Sequence, residues 1–400
     1  IVQMLLAIPD VDVNAQDGVG DTALIVAAGE GHESAFILLL STGKVNKNPK
    51  DEDGNTALIG AAKKGNITIL KALAAVPGLD VNAQNKEGNT ALLTALLELE
   101  VDPSKTGSDM IVKLLLSVKG VDVNLKNQDG IRALMKASAN NFEAIVKLLL
   151  TTSGLDVSIQ DNSGSTALFK VAWNSHDTIT KMLLSAKSKA DPNIQNQDGD
   201  PALIGAARYG YDKVVKLLLS MPGIDINDPP IDGDLALTGA SRNGHEAGVQ
   251  ALLIISEVKI NIQDSYGNTA LIYVACNGQE SIVKLLLSIE GVQVNIQNVY
   301  GYTALIGAAW NGHEVIAKLL FSTPELNPNI QNDSSNSAHT RASWNNYKAI
   351  AKLVLSADGF DVNAKNEDGS TALIRAAANG SERVVKLLLS VPGIDIKSQE

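Results

Sequence analysis

Four of the five histidines, the single cysteine and a group of aromatic residues are the side chains with chemistry to offer here. His245-Glu246 and His313-Glu314 open like H-E-x-x-H, in which two histidines on one helical face hold zinc and the glutamate acts as base. Four residues after each histidine stand Val249 and Ala317, which cannot bind a metal. Cys276 has no histidine near it in its own stretch to activate the thiol. There is no G-x-x-x-x-G-K-[ST]. The turn from Ala364 to Arg375 has alanine and arginine where a calcium loop needs its first and twelfth ligands. The expectation is a non-catalytic chain without cofactor or metal. The tyrosines and tryptophans then matter for contact rather than reaction, and their value depends on the elements that carry them.

Those elements repeat. An alanine, usually within T-A-L, stands at 23, 57, 91, 133, 167, 202, 236, 270, 304, 338 and 372, with eight intervals of 34 residues, one of 35 and one of 42. Three residues earlier there is glycine in ten of the eleven units, with Ser335 the exception, as a tight turn with positive φ requires. Thr56, Thr90, Thr303 and Thr371 are placed to cap a helix that starts at the alanine. Eight residues after the alanine, outside the interrupted third unit, comes Gly, Asn or Ser, suited to a left-handed helix end. A second apolar helix such as Ile282-Val283-Lys284-Leu285-Leu286-Leu287 follows, its lysine recurring in nine units on what reads as a wet outer face. The histidines His32, His176, His245 and His313 share one register. Even the nearest pair is two units apart, about 20 Å by helix spacing, too far to share an ion.

The frame D-x-x-G-x-T-A-L-x-x-A-A-x-x-G-H-x-x-I-V-K-L-L-L-S-x-x-G-x-D-V-N resembles the ankyrin repeat, eleven times in phase and over essentially the whole chain. The resemblance implies an all-α solenoid of about eleven helix-turn-helix units with β-turn tips. It reads as one elongated domain over 1–400, with a partial unit at 1–14, and as a piece of a longer array. Where the family usually has T-P-L-H, this chain has T-A-L-I. The hydrogen bonds of that histidine are therefore expected to give way to apolar contact between units.

Bulk composition agrees with such a module. A net charge of -11 opposes a coat of nucleic acid, and no apolar run approaches the ~18 residues of a membrane span. One cysteine excludes an internal disulfide framework and suits a reducing, intracellular setting, cytoplasmic or nuclear.

Partners of this family most often lie against turn tips and the exposed edge of the inner helices. Counting the alanine as zero, all three tryptophans, Trp173, Trp310 and Trp344, fall at position six, where other units are mostly small or basic. Tyr266, Tyr273, Tyr300 and Tyr302 join Trp310 and Trp344 on that face within units eight to ten, and Tyr209 lies nearer the N-terminus. Trp and Tyr dominate binding hot spots. Lys63, Lys64, Lys136, Lys170, Arg208, Arg242, Arg341 and Arg375 form a basic seam at positions three, six and seven. Beside it runs an acidic rim of tip residues: Glu52, Asp53, Glu87, Asp129, Asp198, Asp232, Glu367 and Asp368. The seam either leans on the rim or is free for a protein partner with acidic groups; nucleic acid, membrane and small-molecule substrates are not expected.

Two units are irregular. Eight extra residues near 98–107 are expected to form a surface loop between helices, and the tenth unit, with Ser335, Ser337 and His339 replacing its glycine, threonine and core leucine, should be the softest. The leading reading is a protein-binding scaffold using Tyr266, Tyr273, Tyr300, Tyr302, Trp310, Trp344, Arg341, Trp173, Arg208 and Tyr209. The alternatives are a regulatory array of a larger enzyme or receptor, and a passive spacer.

Overall fold

A computed structural model of the chain describes residues 2–6, 8, 11–101, 108–187, 190–228, 235–357 and 360–396. Among them, a short helix Val2–Leu6 is followed by eleven pairs of an inner and an outer helix. There is no strand among the described residues beyond isolated bridges of Gln16 with Thr22 and Gln331 with Ser337. Their contacts fall into two compact units, Ile1–Gln197 and Asp198–Glu400. The turn residues Asp232 and Gly233 and the segment 102–107 lie outside the described residues.

In the first unit the inner helices are Ala23–Glu30, Ala57–Lys64, Ala91–Val101, Ala133–Ala139 and Ala167–Trp173. Each begins at the marker alanine because the preceding residue is extended; Thr22, Thr56 and Thr166 also accept from a backbone N–H three residues on. They end where the sequence places a left-handed residue, at Gly31, Gly65, Asn141 and Ser175. The third inner helix lacks that stop and runs on through Glu98 to Val101, so the start of the expected loop is helix. The missing left-handed residue is the reason: Leu99 stands in that register and is buried.

In the second unit the inner helices are Ala202–Tyr209, Ala236–Arg242, Ala270–Asn277, Ala304–Asn311, Ala338–Trp344 and Ala372–Ala378. Each packs on the next along a face of small side chains. A Cβ at Gly307 would come within 2.3 Å of the Cys276 sulfur. Leu203, Leu237, Leu271 and Leu305 are buried at position one, each such side chain contributing about 2 kcal/mol by leaving water. His339 occupies this core position in the tenth repeat and is equally buried.

The turns are chained to one another. Val299 N–H donates to the Tyr266 carbonyl (3.0 Å), and Asp333 N–H to that of Tyr300 (3.2 Å). Contact is so close that a Cβ on Gly301, at φ 74°, would lie 2.7 Å from Asn332 Cα. Ser335 takes the same left-handed region at φ 54°, where a Cβ is strained.

Hydrogen bonds between neighbouring repeats persist, contrary to the expectation that apolar contact replaces them. Gln297 Nε2 donates to the Gly301 carbonyl and to that of Gln331, both at 2.9 Å, and Gln84 and Gln263 do the same in their repeats. Asn295 Nδ2 reaches the Glu325 carbonyl, thirty residues on. The imidazoles of His176, His245 and His313 meet the carbonyls of Ala139, Arg208 and Cys276 at 3.0, 3.1 and 3.0 Å. Sequence reading missed these roles, although the shared histidine register was the signal. Amides two residues earlier do the same work, as Asn311 Nδ2 on the Cys276 carbonyl shows.

Candidate functional site

The aromatic residues of repeats eight to ten lie in the second unit, in two settings. Tyr266 and Tyr300 sit at turn tips, 54% and 57% exposed, with Val299 exposed between them in sequence. The turn holds them by backbone alone, through the N–H of each donated to Asp264 and Asn298 side chains (2.9 and 3.0 Å). Trp310, at the end of its inner helix, is 40% exposed. Tyr273, Tyr302 and Trp344 are half-buried.

The half-buried rings are occupied by side chains of this chain. Position six of one repeat meets position three of the next. Arg341 lays its guanidinium over the Trp310 ring at 3.8 Å, and Arg375 over Trp344 at 5.0 Å. Arg242 and Tyr273 make the reciprocal pair, at 4.3 Å. Cys276 over Gly307 is the small version. Cation–π contact of this kind contributes about 0.5–2 kcal/mol depending on desolvation. Part of the reason for a tryptophan at position six is thus the arginine 31 residues later in the sequence, a spacing that was open to inspection.

Tyr273 was expected to point to a partner, yet its hydroxyl is engaged within the repeat stack. It donates to buried Asp264 and accepts from Arg242 and from Asn268 (3.2 Å). Burial, with the Asp264 hydrogen bond behind it, pushes this phenol up to about 12. Tyr302 packs edge-on against Trp310 with centroids 6.3 Å apart, and its hydroxyl accepts from Arg341 (3.2 Å). Tyr302, Trp310 and Arg341 therefore form one cluster, with Arg375 and Trp344 beside it through the tenth and eleventh repeats.

The basic seam is largely paired. Lys170 meets Asp161 at 2.9 Å, Arg208 meets Asp200 at 3.5 Å, Arg242 meets Asp264 at 3.2 Å and Arg375 meets Asp368 at 2.8 Å. Lys136 pairs with Glu100 and Lys64 with Glu30. Asp368 of the predicted rim is among these partners. Asp161 and Asp264 are carboxylates at the turn entrance, and their side chains are almost wholly buried. Arg341 differs: among the described residues it meets no carboxylate. Its own turn supplies Asn332, Ser334 and Asn336 where some other repeats have aspartate, and Asp333 of that turn is exposed and forms no ion pair with it. Its Nε is buried without a partner, and burial chiefly, then the Arg375 charge, lowers it from the usual arginine range.

The remaining predicted residues lie apart from this cluster. Trp173 is in the first unit, half-buried and stacked on Phe169 at 5.4 Å. Tyr209 is 45% exposed and stacked on Tyr211 at 6.0 Å. The nine outer-helix lysines, including Lys284 and Lys386, are exposed. Burial pushes the Cys276 thiol up to about 11, the opposite of what a thiolate nucleophile needs. No group of three His, Cys, Asp or Glu among the described residues is arranged to hold a metal. No helix among the described residues is long and apolar enough to cross a membrane.

Stacked inner and outer helices with linked turns, and a graded set of exposed side chains along them, define a helical repeat array. The family described as Ankyrin repeats (3 copies) matches residues 1–85, 103–196, 145–230, 184–264 and 237–332, and Ankyrin repeats (many copies) matches 338–389. The chain belongs to the ankyrin repeat family. No curated protein matches it in a search of such proteins. Ankyrin repeat arrays are generally protein–protein interaction modules, and ankyrin repeats are all that the family comparison detects here.

Proposed function

We propose that the chain is a protein-binding scaffold whose second unit receives a partner on the face formed by Tyr266, Tyr300, Trp310 and Arg341, flanked by Tyr302 and Trp344. The observation that carries this reading is a set of exposed rings in consecutive repeats, one of which, Trp310, lies under an arginine that meets no carboxylate among the described residues. Tyr266, Tyr300 and Trp310 keep 40–57% of their surface in water, although each is large and mostly apolar. Covering them releases water from a surface already held rigid, so little conformational entropy is lost. Tyr273 contributes by holding the turn rather than by touching the partner. Tyr209, Arg208 and Trp173 lie outside the central patch.

The test is capture from native extract with the wild-type chain and a Tyr300→Ala/Trp310→Ala variant, each checked for an unchanged melting profile. Proteins recovered with wild type and lost with the folded variant support the proposal. Identical recoveries refute it and favour a passive spacer. A regulatory array of a larger protein is compatible with the same face, its partner then being another domain.

A further inference from the structure

A cleft of about 250 Å³ opens in the first unit between the turns and inner helices of the second and third repeats. Two of the side chains that line it, Asn89 and Thr94, are 4% and 8% exposed, and Asn89 Oδ1 and Thr94 Oγ1 have no hydrogen-bond partner. Both depart from what their equivalents do in this protein. Buried threonines in other helices turn back onto their own backbone: Thr180 to the His176 carbonyl (2.9 Å), Thr238 to Leu235 (3.0 Å) and Thr340 to Ser337 (2.9 Å). Asn55, Asn268 and Asn336 share the register of Asn89, and each amide oxygen accepts from an asparagine thirty residues on, at 3.1, 2.8 and 3.5 Å. Asn89 is followed instead by the 42-residue interval, and the equivalent Asn127 makes no such bond to it. The orientation of the Asn89 amide is set by its nitrogen, which donates to Glu87 Oε2 at 2.7 Å.

Buried polar atoms are ordinarily paired, so two unmet ones in a single cleft mark a place for an incoming donor. The chemistry of the walls narrows the donor. Ile59 and Leu97 supply apolar contact, and the carboxylates of Asp53, Glu87 and Glu98 outnumber the ammonium groups of Lys63 and Lys86. Lys63 and Glu98 are already partnered within the protein, which leaves Asp53 and the Glu87 oxygen that Asn89 does not use against the single ammonium of Lys86. An amide oxygen and carboxylates can only accept. A guanidinium is all donor and has a long aliphatic stem.

We infer that this cleft receives an arginine side chain of a protein partner, its stem against Ile59 and Leu97 and its N–H groups donated to Asn89 Oδ1, Thr94 Oγ1 and Glu87. The site lies in the first unit and is independent of the aromatic face in the second, so either can fail alone.

The test uses the full chain with labelled methyl groups, titrated with N-acetyl-arginine methylamide and, in parallel, with the blocked lysine, citrulline and glutamate compounds. The arginine probe is expected to shift the Ile59 and Leu97 methyl signals in a saturable way, citrulline and lysine more weakly, and glutamate not at all. Thr94→Val keeps the shape and removes the hydroxyl; it should bind arginine about fivefold more weakly, the worth of one hydrogen bond, with a melting temperature no lower than wild type. Glu87→Gln, on an exposed side chain, weakens binding by the lost charge and serves if Thr94→Val does not fold. No saturable shift with any probe, as for a cleft filled by water alone, overturns the inference. So does an equal response of the Thr94→Val chain or a response to glutamate as strong as to arginine.

Discussion

Acidification should loosen the tenth repeat, and His339 gives the size of the effect. Its ring is 1% exposed, neither nitrogen has a partner, and its nearest aromatic neighbour is Phe360, edge-on at 4.9 Å. Burial lowers its pKa from 6.5 to about 4, so the folded repeat holds it neutral where the unfolded chain would take a proton. Above pH 7 both forms are neutral and the ring has no pH effect. As the pH falls through 6.5 the unfolded form binds the proton first, and stability declines until the pH passes about 4. The loss amounts to about 2 kcal/mol at pH 5 and about 3 kcal/mol below pH 4. Native-state amide exchange, corrected for the intrinsic pH dependence, reads this repeat by repeat. Amides of Ala338–Trp344 and Lys348–Leu355 should already exchange faster than those of repeats eight and nine at pH 7, and should lose roughly a further twentyfold of protection at pH 5. His339→Leu restores the residue that the other ten repeats use at this position and should abolish the added loss. Unchanged protection between pH 7 and pH 5, or a leucine variant as acid-sensitive as wild type, refutes the reasoning.

Other expected outcomes follow from single contacts. Ser335→Gly relieves a Cβ held at φ 54° and should stabilise the tenth repeat by about 1 kcal/mol, measured by the same exchange experiment. Asp264→Asn removes the buried negative charge that Arg242 and Tyr273 share and should cost about 3 kcal/mol in urea unfolding, while Asp368→Asn, on an exposed partner, should cost less than about 1 kcal/mol. Gln297→Ala deletes two hydrogen bonds that tie the ninth repeat's turn to itself and to the tenth, and should cost about 1–3 kcal/mol in the same assay.

The turn glycines, the threonine caps and the left-handed helix ends were legible because each depends on the backbone within a few residues. Asn141, Ser175 and Asn346 take positive φ at the register that glycine fills elsewhere. What could not be read was which side chain meets which across a stacking interface. Arg242 meets Asp264, a carboxylate at the buried entrance of the next repeat's turn. Tyr273 looked like a free anchor because its register lies on the surface edge; its length carries the hydroxyl back to Asp264. Most side chains of the seam are paired within the chain, and Arg341 is the exception among the described residues. Asn89 and Thr94 gave no signal, because a missing hydrogen bond appears only once its equivalents elsewhere are seen to be made.

The match of position six to position three gives the second unit a reading order. Residue 307 has to lack a Cβ because the Cys276 sulfur fills that place, and Arg341 lays its guanidinium on a flat ring that Trp310 provides. Exchange the eighth and ninth repeats and an indole would be forced onto a side chain it was not cut for, while the arginine would face a thiol. Copies that look alike by length and turn are therefore not free to be shuffled, and lengthening such an array by duplication would be accepted first between repeats whose edges already agree.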